Sequence, residues 1–272
     1  MQLGISSYTY TWAVGVAGSM PARPLPASGL IDKASEAGLG LVQIADNLPL
    51  EILTPDELHT LREYASGKGV SVEMGSRGLT PAHTIKCLET ATILGSGILR
   101  MVIDSQGYAP ALQTIISIIR ELLPELRARN VRLAIENHDR LKAREFEKII
   151  TGAGSDLVGI CLDSVNSMGA GEGFEAVSEI LIPYTINLHI KDFTIFRASH
   201  KMGLTIEGRP AGKGMLNIES LVEKVSAAGR CKSAILELWT PPETTAEKTI
   251  LREEQWANES IDYLKQIIKW DD

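Results

Sequence analysis

VRLAIENHD, Val131 to Asp139, is the stretch from which the rest of the chain can be read: a short apolar run that stops abruptly at a carboxylate, an amide and an imidazole. Three later runs stop the same way. They are VGICLDSVN, which reaches Asp163, TINLHIKD, which reaches His189, and SAILELW, which reaches Glu237. In each, about five mostly apolar residues of strand-like composition precede a side chain able to bind a metal. The expectation is that Glu136, Asp163, His189 and Glu237 converge on one divalent ion.

Working outward, the same unit repeats along the chain as a short apolar run, a turn and a longer amphipathic segment. The runs centre on Leu3–Ser7, Leu41–Ala45, Val70–Met74, Ile98–Ile103, Val131–Ile135, Val158–Leu162, Thr185–Ile190 and Ala234–Leu238. Helical punctuation separates them. LIDKASEAG closes on Gly38, TPDELHTLREYASGKG opens with Thr54 and Pro55, and TPAHTIKCLETATILG repeats that opening at Thr80. Ala109–Arg129 and Ala246–Trp270 carry apolar residues three and four apart and read as long helices. Strands that are continuous apolar runs, alternating with helices, indicate a parallel sheet covered on both faces. Eight such units match a (β/α)8 barrel, a fold of about 250 residues. A doubly wound open sheet is the alternative, but SSYTYTW follows the first strand where a GxGxxG phosphate loop would be expected. No linker divides the chain, so residues 1–272 read as one domain. Two long loops, Met20–Gly29 and Phe193–Leu216, lie after strands on the face where barrel enzymes work.

Composition bounds the function. Of 272 residues, 44% are hydrophobic and 22% charged, the balance of a globular protein with a buried core. No apolar run approaches the ~18 residues needed to cross a bilayer. The first cation is Arg23, so the basic start of a secretory signal is missing. Cys87, Cys161 and Cys231 lie far apart without a CxxC pair, which fits neither a disulfide framework nor a thiolate zinc site. A reducing, cytoplasmic home is expected. The net charge of -7 argues against a nucleic-acid surface.

In a barrel the C-terminal ends of the strands crowd around one mouth, so remote residues can meet. Successive gaps from Glu136 to Asp163, His189 and Glu237 are 27, 26 and 48 residues: one βα unit, another, and a unit plus the long loop. Separate capping or turn roles would account for one carboxylate but not comfortably for four successive strand ends. Two Glu, one Asp and one His form an oxygen-rich set that suits Mn2+ first, with Mg2+, Co2+ or Zn2+ also compatible.

IENH, CLDSVN, NLHIKD and ILELW, with GRPAGKGMLNIESLV at Gly208–Val222, resemble the xylose isomerase-like barrel family of sugar (phosphate) isomerases, ketose 3-epimerases, inosose dehydratases and endonuclease IV. The resemblance implies that Glu136, Asp163, His189 and Glu237 hold the metal and that Glu136 and Glu237 face each other across the substrate. It breaks at one position. Ketose epimerases of the family carry a His three residues after the metal Asp, where this chain has Asn166, an amide that can donate a hydrogen bond but cannot carry charge. The DNA-repair branch needs additional histidines for three zinc ions, and a chain with 5 His and an acidic balance does not fit it.

Other polar residues belong near the mouth. His138, two residues beyond Glu136, is expected to bond substrate or support a ligand. Lys191 bears the same relation to His189, with a salt bridge to Asp192 as the plainer alternative. Arg77 and, in the long seventh loop, Arg197, His200, Lys201 and Arg209 form a cationic rim that would steer an anionic substrate, unless it is ordinary solvated charge. Tyr8, Tyr10 and Trp12 after the first strand, with Trp239 after the last, would form an aromatic wall for a sugar or seal the core. His59 and His83 read as surface or packing residues.

Together these point to a metal-dependent isomerase or epimerase of a keto-sugar, sugar phosphate or sugar acid. A Lewis-acidic ion would stabilise the enediolate, while Glu136 and Glu237 remove and return the proton. The alternative is a lyase: a decarboxylase whose keto-acid substrate binds the rim cations, or a dehydratase. A metal-free binding barrel is the non-catalytic alternative, against which the four ligands speak. Trp256 and Trp270 on the last helix leave a homo-oligomer open.

Overall fold

A computed structural model describes residues 1–269, and Trp270 lies outside them. The strands are β1 (Gln2–Ser6), β2 (Leu41–Ile44), β3 (Ser71–Arg77), β4 (Ile98–Val102), β5 (Arg132–Glu136), β6 (Val158–Asp163) and β7 (Thr185–Ile190). They continue with β8 (Asp192–Arg197), β9 (Leu204–Arg209) and β10 (Ser233–Leu236). Eight of them close into a parallel barrel in the order β1-β10-β7-β6-β5-β4-β3-β2. These are the eight apolar runs of the sequence. Nearly every residue in them is buried, as a sheet with side chains inside and helices outside requires.

The helices are α1 (Thr11–Val14), α2 (Ala27–Glu36), α3 (Pro55–Gly67), α4 (Pro81–Leu94) and α5 (Leu112–Arg129). After them come α6 (Ala143–Ala153), α7 (Phe174–Leu181), α8 (Ile218–Ala227) and α9 (Ala246–Ile267). Thr54 starts α3 with a full capping box shared with Glu57. Thr80 starts α4 from the same Thr-Pro pair but makes no side-chain capping bond. Gly38 takes the left-handed conformation, φ +64, just past α2, as its position in the sequence implies. No helix among the described residues is long and apolar enough to cross a membrane.

Two features departed from the sequence reading. Phe193–Leu216, expected as a loop, is mostly the antiparallel hairpin of β8 and β9, paired from Asp192↔Arg209 to Arg197↔Leu204. It packs at the mouth so closely that a Cβ on Gly208 would collide with the backbone of Trp239. The second feature is a bulge. β6 and β7 pair Ile160↔Thr185 but then Cys161↔Asn187, skipping Ile186, and so reach Asp163↔His189. An unbroken register would have set Asp163 beside Leu188. The extra residue brings two of the metal-competent side chains level.

Candidate active site

Four strand ends deliver the four side chains to one buried point. Glu136 ends β5, Asp163 ends β6, His189 is the penultimate residue of β7, and Glu237 follows β10, its N–H bonded to the Ile190 carbonyl at 3.1 Å. His189 Nδ1 lies 3.6 Å from Glu136 Oε2, 3.8 Å from Asp163 Oδ2 and 3.5 Å from Glu237 Oε1. None of the four side chains is more than 1% exposed.

The surrounding bonds orient each group. Asp163 Oδ1 accepts the backbone N–H groups of Val165 and Asn166, both at 2.9 Å. Ser6 Oγ donates to Glu237 Oε1 at 2.9 Å, and Asn166 Nδ2 donates to Glu136 Oε1 at 2.7 Å. Arg100 Nε donates to Glu136 Oε2. Beneath the cluster, Gln43 Nε2 donates to Glu73 Oε2 (3.0 Å) and Asn187 Oδ1 (3.1 Å), which leaves Gln43 Oε1 as the acceptor for His189 Nε2–H at 2.7 Å. The imidazole proton is thereby assigned to Nε2. The Nδ1 lone pair points at three carboxylates and has no hydrogen-bond partner. An orphaned, buried imidazole nitrogen among carboxylate oxygens fits a divalent cation: Asp163, His189 and Glu237 meet ligand spacing with one another, and Glu136 meets it with His189 and Cys161.

Electrostatics point the same way. Burial alone would push the His189 imidazole down, but the carboxylates of Glu237, Asp163 and Glu136 outweigh it and raise its proton affinity. Burial would push the Asp163 carboxyl up, yet the ammonium of Lys191 and the His189 ring hold it well below the usual range. Lys191 Nζ sits 2.8 Å from Asp163 Oδ2 and 2.7 Å from Glu237 Oε2. Burial would lower its own pKa, but those two carboxylates raise it, so it is a charged ammonium at neutral pH. A salt bridge from Lys191 to Asp192 is therefore excluded as its role. Asp192 instead accepts backbone N–H groups of Gly212, Gly214 and Leu216, tying down the loop before α8.

Above this cluster opens a cavity of ≈ 680 Å³. Its walls include Tyr8, Trp12, Trp239, Arg77, His138, Asn166 and Lys191, with Ile206 and Glu207 from the hairpin and Arg100 and Glu136 deeper in. Of the four convergent groups only Glu136 lines it; Lys191 stands between the cavity and Asp163 with Glu237. Arg209 is not on this wall: it turns back to Glu207 Oε2 (3.2 Å) and the Gly208 carbonyl (2.7 Å). Arg197, His200 and Lys201 belong to the far end of the hairpin and do not line the cavity either. Tyr10 is in the core, 2% exposed, with the Lys33 ammonium 4.6 Å from its ring centroid. His59 is exposed, and His83 bonds Ser76 Oγ at 2.9 Å, packing α4 on the barrel.

Two residues the sequence reading passed over complete the floor. Arg100, in the middle of β4, bridges Glu136 and Asp46, its Nη1 2.9 Å from Asp46 Oδ1. Asp46 also pairs with Arg77 Nε at 2.8 Å and accepts from Tyr8 Oη at 3.1 Å. The signals were a lone Arg inside the apolar run ILRMV and an Asp directly after LVQIA.

Fold and site define a barrel enzyme, and the chain belongs to the xylose isomerase-like TIM barrel family, whose model matches residues 31–267. It is 32% identical over 264 residues to the 3-oxo-isoapionate decarboxylase of Pectobacterium atrosepticum, covering 97% of this chain and 95% of that protein. Among solved structures it superposes on a D-psicose 3-epimerase from Clostridium cellulolyticum H10, crystallised with D-tagatose, with a TM-score of 0.75 at 14% identity, covering 99% of this chain and 100% of the other. The zinc-bound IOLI protein superposes with a TM-score of 0.70 at 17% identity over 99% and 100% of the two chains.

Proposed function

We propose that the protein is a divalent-metal-dependent decarboxylase of a 3-oxo sugar acid. The observation that carries this reading is the pair of cations on the cavity wall: Lys191 and Arg77 line it above the carboxylate–imidazole cluster. A carboxylated sugar finds there both a counter-charge and a ketone-binding end. The kinship to a 3-oxo-isoapionate decarboxylase across nearly the whole chain supports the same reaction class. Asn166 supports it too, because a neutral amide bonded to Glu136 holds that carboxylate rather than shuttling a proton.

Glu136, Asp163, His189 and Glu237 would hold the ion, and the three carboxylates favour Mn2+. The bound cation supplies Lewis acidity for a ketone oxygen, worth several kcal/mol of charge stabilisation. The remaining steps belong to side chains. Lys191 and Arg77 hold the substrate carboxylate by charge-assisted bonds, and the aromatic faces of Trp12 and Trp239 cover the sugar. The C1–C2 bond breaks, CO2 departs, and its electron pair passes through C2 to the C3 oxygen. C2 then takes up one solvent-derived proton. No carbon-bound proton has to be removed. The three free, buried cysteines agree with a reducing cytoplasm.

A second reading has its own support. Glu136 and Glu237 lie at nearly equal distances, 3.6 and 3.5 Å, from His189 Nδ1, and a pair of carboxylates suits an epimerase or isomerase that removes and returns a proton. Incubation of the Mn2+-loaded protein with 3-oxo sugar acids and ketoses in D2O, followed by NMR, separates them. Bicarbonate and a product one carbon shorter with a single deuterium are expected. Deuterium exchange with the carbon count intact would establish the epimerase instead.

Gln43 offers an independent check on the ion. Gln43→Met removes the acceptor that assigns the His189 tautomer, and Mn2+ affinity measured by chelator competition should fall about ten-fold, as for loss of other groups that orient metal ligands. An unchanged affinity would remove Gln43 from this role.

A further inference from the structure

One wall of the cavity rests on a helix too short to hold itself. α1 makes two backbone bonds of its own type, Val14 N–H to the Tyr10 carbonyl (2.8 Å) and Gly15 N–H to the Thr11 carbonyl (3.0 Å). No local side chain caps it. Isolated helices are marginal even at several times this length. Its N–H groups at Trp12 and Ala13 instead donate to Glu253 on α9, at 2.9 Å to Oε1 and 3.0 Å to Oε2. A single side chain remote in sequence thus contributes as many backbone bonds as the helix makes internally. Glu253 is 1% exposed, a costly place for a carboxylate without a task. The residue it grips is the one on the cavity wall: the Trp12 indole lines the cavity and donates Nε1–H to the Thr240 carbonyl at 2.9 Å, linking the loops after β1 and β10.

We infer that Glu253 is a positioning residue for the substrate cavity: its ionised carboxylate fixes α1, and with it the Trp12 ring, and protonation loosens that wall. The role of the wall rests on the reading of the cavity as the substrate site. An ionised carboxylate accepts both N–H groups, whereas a carboxylic acid turns one oxygen into a donor facing a donor. Burial pushes the Glu253 carboxyl up to about 7, only partly opposed by the two backbone donors. The groups facing it are Glu254 on its own helix, which raises it further, Lys33 on α2, which lowers it, and the buried phenol of Tyr10 before α1. Lys33 is itself engaged by Glu254. The wall is therefore ordered above neutrality and loosens as pH falls through about 7. Global stability runs the other way. A carboxyl raised in the fold contributes stability that is full below its unfolded value and is lost as pH rises through the folded one.

A single-tryptophan chain (W239F, W256F and W270F together) reports on Trp12 without substrate. Its acrylamide quenching constant is expected to rise about two-fold as pH falls from about 8.5 to about 5.5, and addition of E253Q should hold the high value at every pH, the scale of one lost hydrogen bond. A flat profile in the chain that keeps Glu253 overturns the inference, whether or not E253Q folds. With a 3-oxo sugar acid as substrate, E253Q alone should raise KM about five-fold and leave kcat within about two-fold, as for loss of uniform binding. A fall in kcat at constant KM also overturns it. If the protein turns over no such acid, the functional reading fails, and the quenching profile still decides the role of Glu253.

Discussion

Glu237→Gln is expected to lower turnover by at least about 10³-fold and to strip the protein of tightly held metal, because it removes a charge and a ligand atom from the same place. Glu237 Oε1 accepts from Ser6 and lies 3.5 Å from His189 Nδ1, while Oε2 lies 2.7 Å from the Lys191 ammonium. A glutamine of the same shape can satisfy one of these contacts. Its amide N–H groups then face either the Lys191 ammonium or the Ser6 hydroxyl, and both are donors in the present arrangement. The fold should survive, since Lys191 keeps Asp163 at 2.8 Å and the barrel ladder does not use this side chain. Metal content by elemental analysis and single-turnover rates measure the two effects separately. Glu136→Gln should match it, although Glu136 alone of the four reaches the cavity. Near-normal turnover in either variant, with metal retained, would refute the role given to it.

What the sequence disclosed follows from the physics of a covered parallel sheet. Strands buried on both faces must be apolar throughout, so the first polar side chain after each run marks where the strand leaves the core. Glu136, Asp163 and Glu237 are such ends, and barrel closure makes strand ends neighbours. Arg100 was harder to place because it breaks that rule from within: an arginine in a central strand looks like a flaw in an apolar run until closure brings Glu136 and Asp46 to its two sides. The bulge at Ile186 left no signature either. TINLHI reads as an ordinary strand, and the skipped residue becomes evident only from its pairing with β6. Lys191 carries two readings in the sequence, a group at the substrate and a salt bridge to Asp192; the second rests on sequence proximity alone, whereas its partners come from β6 and from beyond β10. Arg209 is expected from the sequence on the rim, as a cation that meets an anionic substrate. The hairpin that replaces the loop gives it Glu207, two residues away, as a partner.

Arg100→Met should cost about 3–5 kcal/mol of stability, the scale for breaking a buried ion pair by removing one partner. For a chain of this size that is a melting temperature lower by about 10 °C. Arg100 is 2% exposed and reaches two carboxylates at once, Glu136 through Nε and Asp46 through Nη1. Methionine fills most of the volume but leaves Glu136 with the Asn166 amide and Asp46 with the half-exposed Arg77 and the Tyr8 hydroxyl. The loss carries a pH signature. Burial would push the Asp46 carboxyl up, but Arg100 and then Arg77 hold it below its ordinary value. A carboxyl depressed in the fold contributes stability above its unfolded pKa, and that stability is lost as pH falls through the folded value. Without Arg100 the depression shrinks, and protonation relieves an unpaired buried charge. The gap in melting temperature between the two proteins should therefore be wide at pH 7 and narrow toward about pH 4. Thermal melts followed by circular dichroism at both values test this; a gap that is constant or grows in acid would mean that Arg100 acts through packing rather than charge. The same substitution should reduce turnover, because the Glu136 carboxylate is held in the cavity floor between the Arg100 guanidinium and the Asn166 amide, and loses one of its two anchors.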